Sequence, residues 1–195
     1  MDRRWYLDVN RFAEHTGWLH PVLTPYALWG GPVLLVLLLA VGWWHARSGE
    51  RPVRSGSVAF LTGVGAIVAV LLNQHLVSPL IARPRPCHAL HGVQTLLTCS
   101  SDYSMPSDHC VIAGAITAGL FLVNRRLGAV AVVLSLLLAF SRVYVGVHYP
   151  SDTVVGLVLG AVVCLVAVLA LRPVTEIAVR HLSRGPLRRL VVAER

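Results

Sequence analysis

The stretch SRVYVGVHYPSD, residues 141–152, places Arg142, His148 and Asp152 close together between two long apolar runs. Charged groups at membrane depth are costly and usually functional. His148 and Asp152 are four positions apart across a turn that contains Pro150, so the carboxylate can hold one imidazole nitrogen while the other is free to attack: an activated nucleophile. A second stretch, MPSDHC at residues 105–110, reads as the start of a helix, with Ser107 as its cap and His109 on its first turn. The free N–H groups and dipole of such a start form an anion site. A third, SPLIARPRPC at residues 78–87, carries Arg85. Arg85 and Arg142 are planar, permanently charged forks that match phosphate oxygens. Together these groups suit chemistry on a dianionic phosphoryl group.

The elements that must position these groups are membrane helices. Of the 195 residues 55% are hydrophobic and 13% charged, against roughly 25% charged in a soluble domain. We expect an all-α, polytopic helical bundle with five transmembrane spans near 26–45, 57–81, 107–123, 127–146 and 153–171. Each approaches the roughly 20 residues that a bilayer core requires. Residues 1–22 form an N-terminal amphipathic helix lying in the interface, with Trp5, Val9, Phe12, Thr16 and Leu19 on one face. The chain reads as one domain over 1–195, with a catalytic core at 57–171 and a basic tail at 172–195. The first apolar run follows an acid-containing segment and ends in Trp43-Trp44-His45 without a small-residue cleavage site, so it reads as an anchor rather than a signal peptide.

All 17 basic residues are Arg, and the net charge is +8. The arginines are scattered between apolar runs and make no basic patch with interleaved aromatics, which argues against nucleic-acid binding. Their distribution sets the orientation. Arg47, Arg51, Arg54, Arg125, Arg126 and the six of the tail fall on one side, which is cytoplasmic. Arg3, Arg4, Arg11, Arg83, Arg85 and Arg142 fall on the other. The 82–106 loop and the 146–152 turn then face outward, and the three polar stretches gather at that face. Cys87 and Cys99 share the outward loop, where a disulfide or two free thiols are both open; Cys110 and Cys164 read as small buried hydrophobes. The remaining histidines, including His88 and His91, have no company that suggests catalysis or a metal site.

Arg85-Pro86, Pro106-Ser107-x-His109 and Ser141-Arg142-x5-His148-x3-Asp152 resemble the three-part signature of the type 2 phosphatidic acid phosphatase superfamily, over residues 57–170. The resemblance implies His148 as nucleophile, Asp152 as its orienting group and His109 as general acid, then base. It implies Arg85, Ser107, Arg142 and position 108, through its backbone N–H, as phosphate-binding, with no metal and no cofactor. Two positions depart from the pattern. Ser78 stands where the family usually has Lys, so one phosphate-binding charge is missing or Arg83 supplies it. Asp108 stands where Gly is usual, and its carboxylate must point away from the phosphate or pair with an Arg. Both departures are similar to the bacterial undecaprenyl-diphosphate phosphatase branch. The expected function is hydrolysis of a polyprenyl diphosphate in a bacterial cell membrane, recycling the carrier lipid for cell-wall synthesis, with the lipid phosphate as partner and no obligate protein partner. The rivals are a phosphatase for another lipid phosphate (phosphatidylglycerol phosphate, phosphatidic acid or a polyprenyl-phosphate sugar phosphate) and a non-catalytic lipid-phosphate binder or transporter. The presence of His109, His148 and Asp152 together weighs against the last.

Overall fold

The computed structural model of the protein describes residues 1–48 and 51–182. Among these residues there are helices and no strands. In chain order they are α1 (Asp2–His15), α2 (His20–Pro25), α3 (Gly31–Ser48), α4 (Pro52–Leu72), α5 (Ser78–Ile81), α6 (Pro86–Ala89), α7 (Asp108–Val123), α8 (Arg125–Tyr144) and α9 (Pro150–Leu182). A wide π turn joins α2 to α3 at Tyr26–Gly30, and another joins α4 to α5 at Asn73–Val77.

Four helical runs are long and apolar enough to cross a bilayer: Gly17–Ser48, Pro52–Ala89, Arg125–Tyr144 and Pro150–His181. Asp108–Val123 is a shorter apolar helix. The protein is a multi-pass membrane protein, and these five elements are the five expected spans. The third is short because α7 lies inside the bundle, packed on α3, α4, α8 and α9, and begins at the depth of the polar site. Leu35, Leu61 and Leu138 are buried around it, in one core with its own Ile116 and Leu120. The outward faces stay apolar, as with Val133, Val162 and Leu169, because hydrocarbon rather than water covers them.

The seam between α7 and α9 is made by backbone contact. A Cβ at Gly160 would sit 1.9 Å from the Val111 carbonyl oxygen, and one at Gly114 would sit 2.0 Å from that of Leu157. Small residues allow this approach, the usual device of membrane helix pairs. The seam fixes the start of α7 against the start of α9, and those two starts carry His109 and Asp152.

Two element bounds differ from the expectation. The N-terminal helix ends at His15, and its buried stripe is Tyr6, Asn10 and Ala13, whereas Trp5 and Phe12 are exposed. The two stripes lie one residue apart. The one carrying Asp2, Tyr6 and Asn10 wins the inward position because each of these side chains finds a partner there. Trp5 and Phe12 are left where interfacial aromatics are favourable. At the other end α9 continues past 171 to Leu182, with Glu176 paired to Arg172 at 3.4 Å and to Arg180 at 3.8 Å. Of the expected tail at 172–195, the part from 183 to 195 lies outside the described residues.

Candidate active site

His148 sits in the turn between α8 and α9. The chain leaves α8 at Tyr144 and reverses at Gly146, whose φ of +86° and closeness to the Gln94 carbonyl favour a residue without Cβ. It then enters α9 at Pro150, pre-set for a first helical position. Asp152, on that first turn, accepts the Tyr149 N–H at 2.8 Å, which is half of a capping box. This contact faces the carboxylate toward His148.

His148 is 1% exposed. Its Nδ1 lies 2.8 Å from the Ser104 carbonyl oxygen. A carbonyl can only accept, so Nδ1 carries the proton and Nε2 presents a lone pair. Nε2 faces Arg85 Nη1 at 3.1 Å and Arg142 Nη2 at 3.3 Å. Burial is the largest influence on the ring. It outweighs the pull of the nearby Asp152 carboxylate and, with the charges of Arg142 and Arg85, pushes the imidazolium pKa down to about 4. The ring is therefore neutral at neutral pH. Asp152 was expected to hold the imidazole nitrogen directly. Its Oδ2 is instead 3.7 Å from Nδ1, while Ser104 Oγ donates to that same oxygen. Ser104 thus bridges the pair through both its carbonyl and its hydroxyl.

Arg85 is buried at the end of the apolar run Pro52–Ala89. Nε and Nη2 grip the two carboxylate oxygens of Asp102 at 3.0 Å each, and Nη1 also donates to Val147 O at 3.1 Å. Burial is the largest single influence and would raise the Asp102 pKa, but the bonds from Arg85 and Ser100 and the Arg85 charge together outweigh it, and the net displacement is downward. Arg142, in the last turn of α8, donates through Nη1 to Ala27 O at 3.1 Å, a carbonyl of the first π turn. Arg142 Nε and Ser107 Oγ are both buried without a hydrogen-bond partner among the described residues. Ser107 occupies the N-cap position of α7 but makes no side-chain cap bond, contrary to the expected role.

His109 Nε2 lies 3.1 Å from Leu28 O. Asp108 pairs with neither Arg85 nor Arg142 and accepts from Asn73 Nδ2 at 2.7 Å and Gln74 Nε2 at 2.8 Å, in the second π turn. Its carboxylate thus pairs with two neutral amides rather than with an Arg, and it still borders the cavity. Arg83 does not stand in for the missing Lys: it pairs with Asp152 at 2.7 Å and Asp2 at 2.6 Å.

A cavity of about 340 Å³ collects Arg85, Asp102, Asp108, His109, Arg142 and His148. A second, of about 400 Å³, shares Arg85, Asp102 and Asp108 and adds Asn73, Gln74 and Ser78. All seven sequence-identified residues therefore meet at one end of the bundle, where the fully buried Ser107 and Asp152 are joined by a bond from Ser107 N to Asp152 O at 3.1 Å. Sequence reasoning missed Ser104 and Asp102. Ser104 contributes a backbone oxygen that no residue type announces, and Asp102 sits in an irregular loop with no periodicity to place it. Nearby, Cys87 and Cys99 form a disulfide, with Cα atoms 6.4 Å apart, that closes this loop. His88 lies beside it, 3.4 Å from Cys99 Sγ.

The family model for the PAP2 superfamily matches residues 56–175. The chain belongs to this superfamily. It is 32% identical over 166 residues to "Undecaprenyl-diphosphatase BcrC" of Bacillus subtilis, covering 84% of this chain and 80% of that protein. It is 40% identical over 157 residues to "Decaprenylphosphoryl-5-phosphoribose phosphatase" of Mycobacterium tuberculosis, covering 80% and 72%. The fold matches a PAP2 type phosphatidylglycerolphosphate phosphatase from Bacillus subtilis with a TM-score of 0.63 at 22% identity, over 85% of this chain and 83% of that one. This PAP2 protein is a membrane-embedded lipid phosphatase.

Proposed function

We propose that the protein hydrolyses a polyprenyl diphosphate to the monophosphate through a phosphohistidine on His148, recycling a cell-wall carrier lipid. The observation that carries the phosphoryl-transfer reading is the neutral His148 Nε2, aimed between two buried arginines at a cavity that His109 also lines. Nε2 attacks the terminal phosphorus. The P–O bond to the prenyl monophosphate breaks, and His109 gives the leaving oxygen a proton. Arg85, Arg142, Ser107 Oγ and the first N–H groups of α7 hold the equatorial oxygens, where preorganised charge contributes most to phosphoryl transfer. Asp152, through Ser104, keeps the ring oriented and balances the charge it gains. Water, deprotonated by His109, then displaces His148 and releases phosphate. No step calls for a metal.

Two features support a prenyl chain in the bilayer. An apolar groove of about 450 Å³ runs between α3, α4 and α7, lined by Val36, Leu39, Ile67, Leu71, Ile112 and Ile116. Ile112 lies one helical turn from His109, and Leu71 one turn from Gln74, so a chain in the groove reaches both polar cavities. The arginine asymmetry supports an outward-facing site and a cytoplasmic C-terminus.

A polyprenyl-phosphosugar phosphate is the second reading. It is favoured by the 40% identity to a phosphatase named for such a substrate, and by the neutral amides and hydroxyl of the second cavity, which suit sugar hydroxyls. The deciding experiment is phosphate release by detergent-purified protein with EDTA present. Undecaprenyl diphosphate and decaprenylphosphoryl-5-phosphoribose are compared, each beside His148→Ala. Preference for the diphosphate supports the first reading, and preference for the phosphoribose lipid the second. Full activity in His148→Ala would overturn the mechanism for both.

A further inference from the structure

We propose that α1 is a brace for catalysis, with Asp2 and Arg83 as positioning residues that act through Asp152 on His148. This rests on the reading of His148 as nucleophile.

Asp2, Tyr6 and Asn10 recur every four positions and so share one face of α1. Each fixes a different part of the catalytic turn. Asp2 accepts from Ser151 N at 3.0 Å and from Ser151 Oγ at 2.6 Å, pinching the first turn of α9. Tyr6 donates to Gly146 O at 3.1 Å, and its ring lies 5.3 Å from that of Tyr149. Asn10 exchanges two bonds with Gln94, at 2.7 and 3.0 Å, beside Gly146. One turn of helix therefore holds both ends of the 146–151 segment, with His148 between them.

The link to the reacting groups is Arg83. Asp152 is fully buried, and its negative charge needs a cation nearby. Arg83 supplies it at 2.7 Å. Arg83 itself is a quarter exposed and would have rotamers to spare. It is held by Asp2 at 2.6 Å, by Ser151 Oγ at 2.7 Å and by the Tyr149 ring, 3.9 Å from its guanidinium carbon. Its backbone is aimed by Ala82, a left-handed residue at φ +50°, a conformation that a residue with a Cβ adopts only at a cost. The Arg83 carbonyl then accepts from Ser104 N at 2.8 Å, the same Ser104 whose carbonyl accepts from His148 Nδ1–H. Asp2, Arg83, Asp152, Ser104 and His148 thus form one chain of contacts from the N-terminal helix to the nucleophile. A helix that served only to rest on the membrane surface would use Trp5 and Phe12 on its exposed side and would need none of this.

The test uses the full chain, purified in detergent, with kcat, KM and thermal unfolding measured for Asp2→Asn, Asp2→Glu, Arg83→Gln, His148→Ala and the control Trp5→Ala. The substrate is undecaprenyl diphosphate, or decaprenylphosphoryl-5-phosphoribose if the wild type prefers it. The expected result is a loss of about 10- to 30-fold in kcat for Asp2→Asn with KM within about threefold, the pattern of a lost transition-state interaction. Asp2→Glu recovers most of the rate, and Trp5→Ala keeps it. Asp2→Asn combined with Arg83→Gln is no slower than Arg83→Gln alone, because the two act as one unit. Wild-type kcat in Asp2→Asn, or a change confined to KM, overturns the brace. If Asp2→Asn does not fold, Arg83→Gln decides on the same criteria. An active His148→Ala sinks the nucleophile reading itself, whereas a dead His148→Ala beside a full-rate Asp2→Asn sinks only the brace.

Discussion

The segment from Val145 to Asp152 has two sides, and they are built on opposite terms. On the α1 side the polar groups are matched: Arg83 lies between two carboxylates, Ser151 both donates and accepts, and Tyr149 N–H meets Asp152. On the cavity side donors are left over. Arg142 Nε and Ser107 Oγ are buried without partners among the described residues, and two guanidinium groups converge on a single lone pair. A saturated network gives rigidity, and unmatched donors are affordable only if rigidity holds them where charge will develop. The two sides should therefore fail differently. Arg142→Ala removes a donor from the unmatched side and should lower kcat/KM by about 10³-fold or more, the scale of a lost charge clamp. Thermal unfolding should move little by comparison, since the substitution leaves one carbonyl, Ala27 O, to find another donor. A large loss of stability with only a small loss of rate would reverse the assignment of the sides.

Asp152→Asn strikes the matched side. Shape is nearly preserved, and the Tyr149 N–H still finds an oxygen, but Arg83 loses one of its two carboxylates and the reacting ring loses its counter-charge. We expect kcat to fall about 10²-fold, with a measurable drop in melting temperature, since breaking one partner of a buried pair is costly. Wild-type turnover in this variant would reduce Asp152 to a helix cap.

This asymmetry also explains what the sequence could disclose. The cavity side is made of side chains whose types state their chemistry: Arg85, His109, Arg142 and His148 were all legible, and they do meet. The spans were legible because apolar runs of bilayer length leave few alternatives. The braced side was not. Ser104 acts largely through a carbonyl, Asp102 lies in an irregular loop, and Asp2 was one acid in a polar terminus. The amphipathic pattern in residues 1–20 was real, but two stripes one residue apart competed. Hydrophobicity marked the one with Trp5 and Phe12, which stays exposed as an interfacial face does, but gave no sign that long-range hydrogen bonds to Gln94, Gly146 and Ser151 would hold the other against the protein. Partners distant in sequence are invisible to periodicity.

The pH response sharpens the comparison further. Burial, ahead of the opposing pull of the Asp152 carboxylate and with the two arginine charges, lowers the His148 pKa from 6.5 to about 4. The native ring thus stays unprotonated in a window where the unfolded chain binds a proton. Stability contributed by this group is complete above about 6.5 and is lost as pH falls toward 4. The acid limb of kcat/KM, corrected for the substrate's own ionisation, should then lie well below the ordinary imidazole value. A limb near 6.5 would mean that the nucleophile is more solvated than this geometry allows.

The smallest effect concerns Asp108, which borders both cavities yet spends its oxygens on Asn73 and Gln74. Its charge faces an incoming phosphate without touching either arginine. Asp108→Asn should leave kcat unchanged and lower KM for a diphosphate by about two- to threefold at low ionic strength, with the gain fading as salt screens it. The direction of the change matters more than its size. If KM rises instead, the carboxylate is accepting a hydrogen bond from the substrate. A diphosphate offers few such donors and a sugar offers several, so that outcome would move the second cavity, and the preferred lipid, toward the phosphosugar reading.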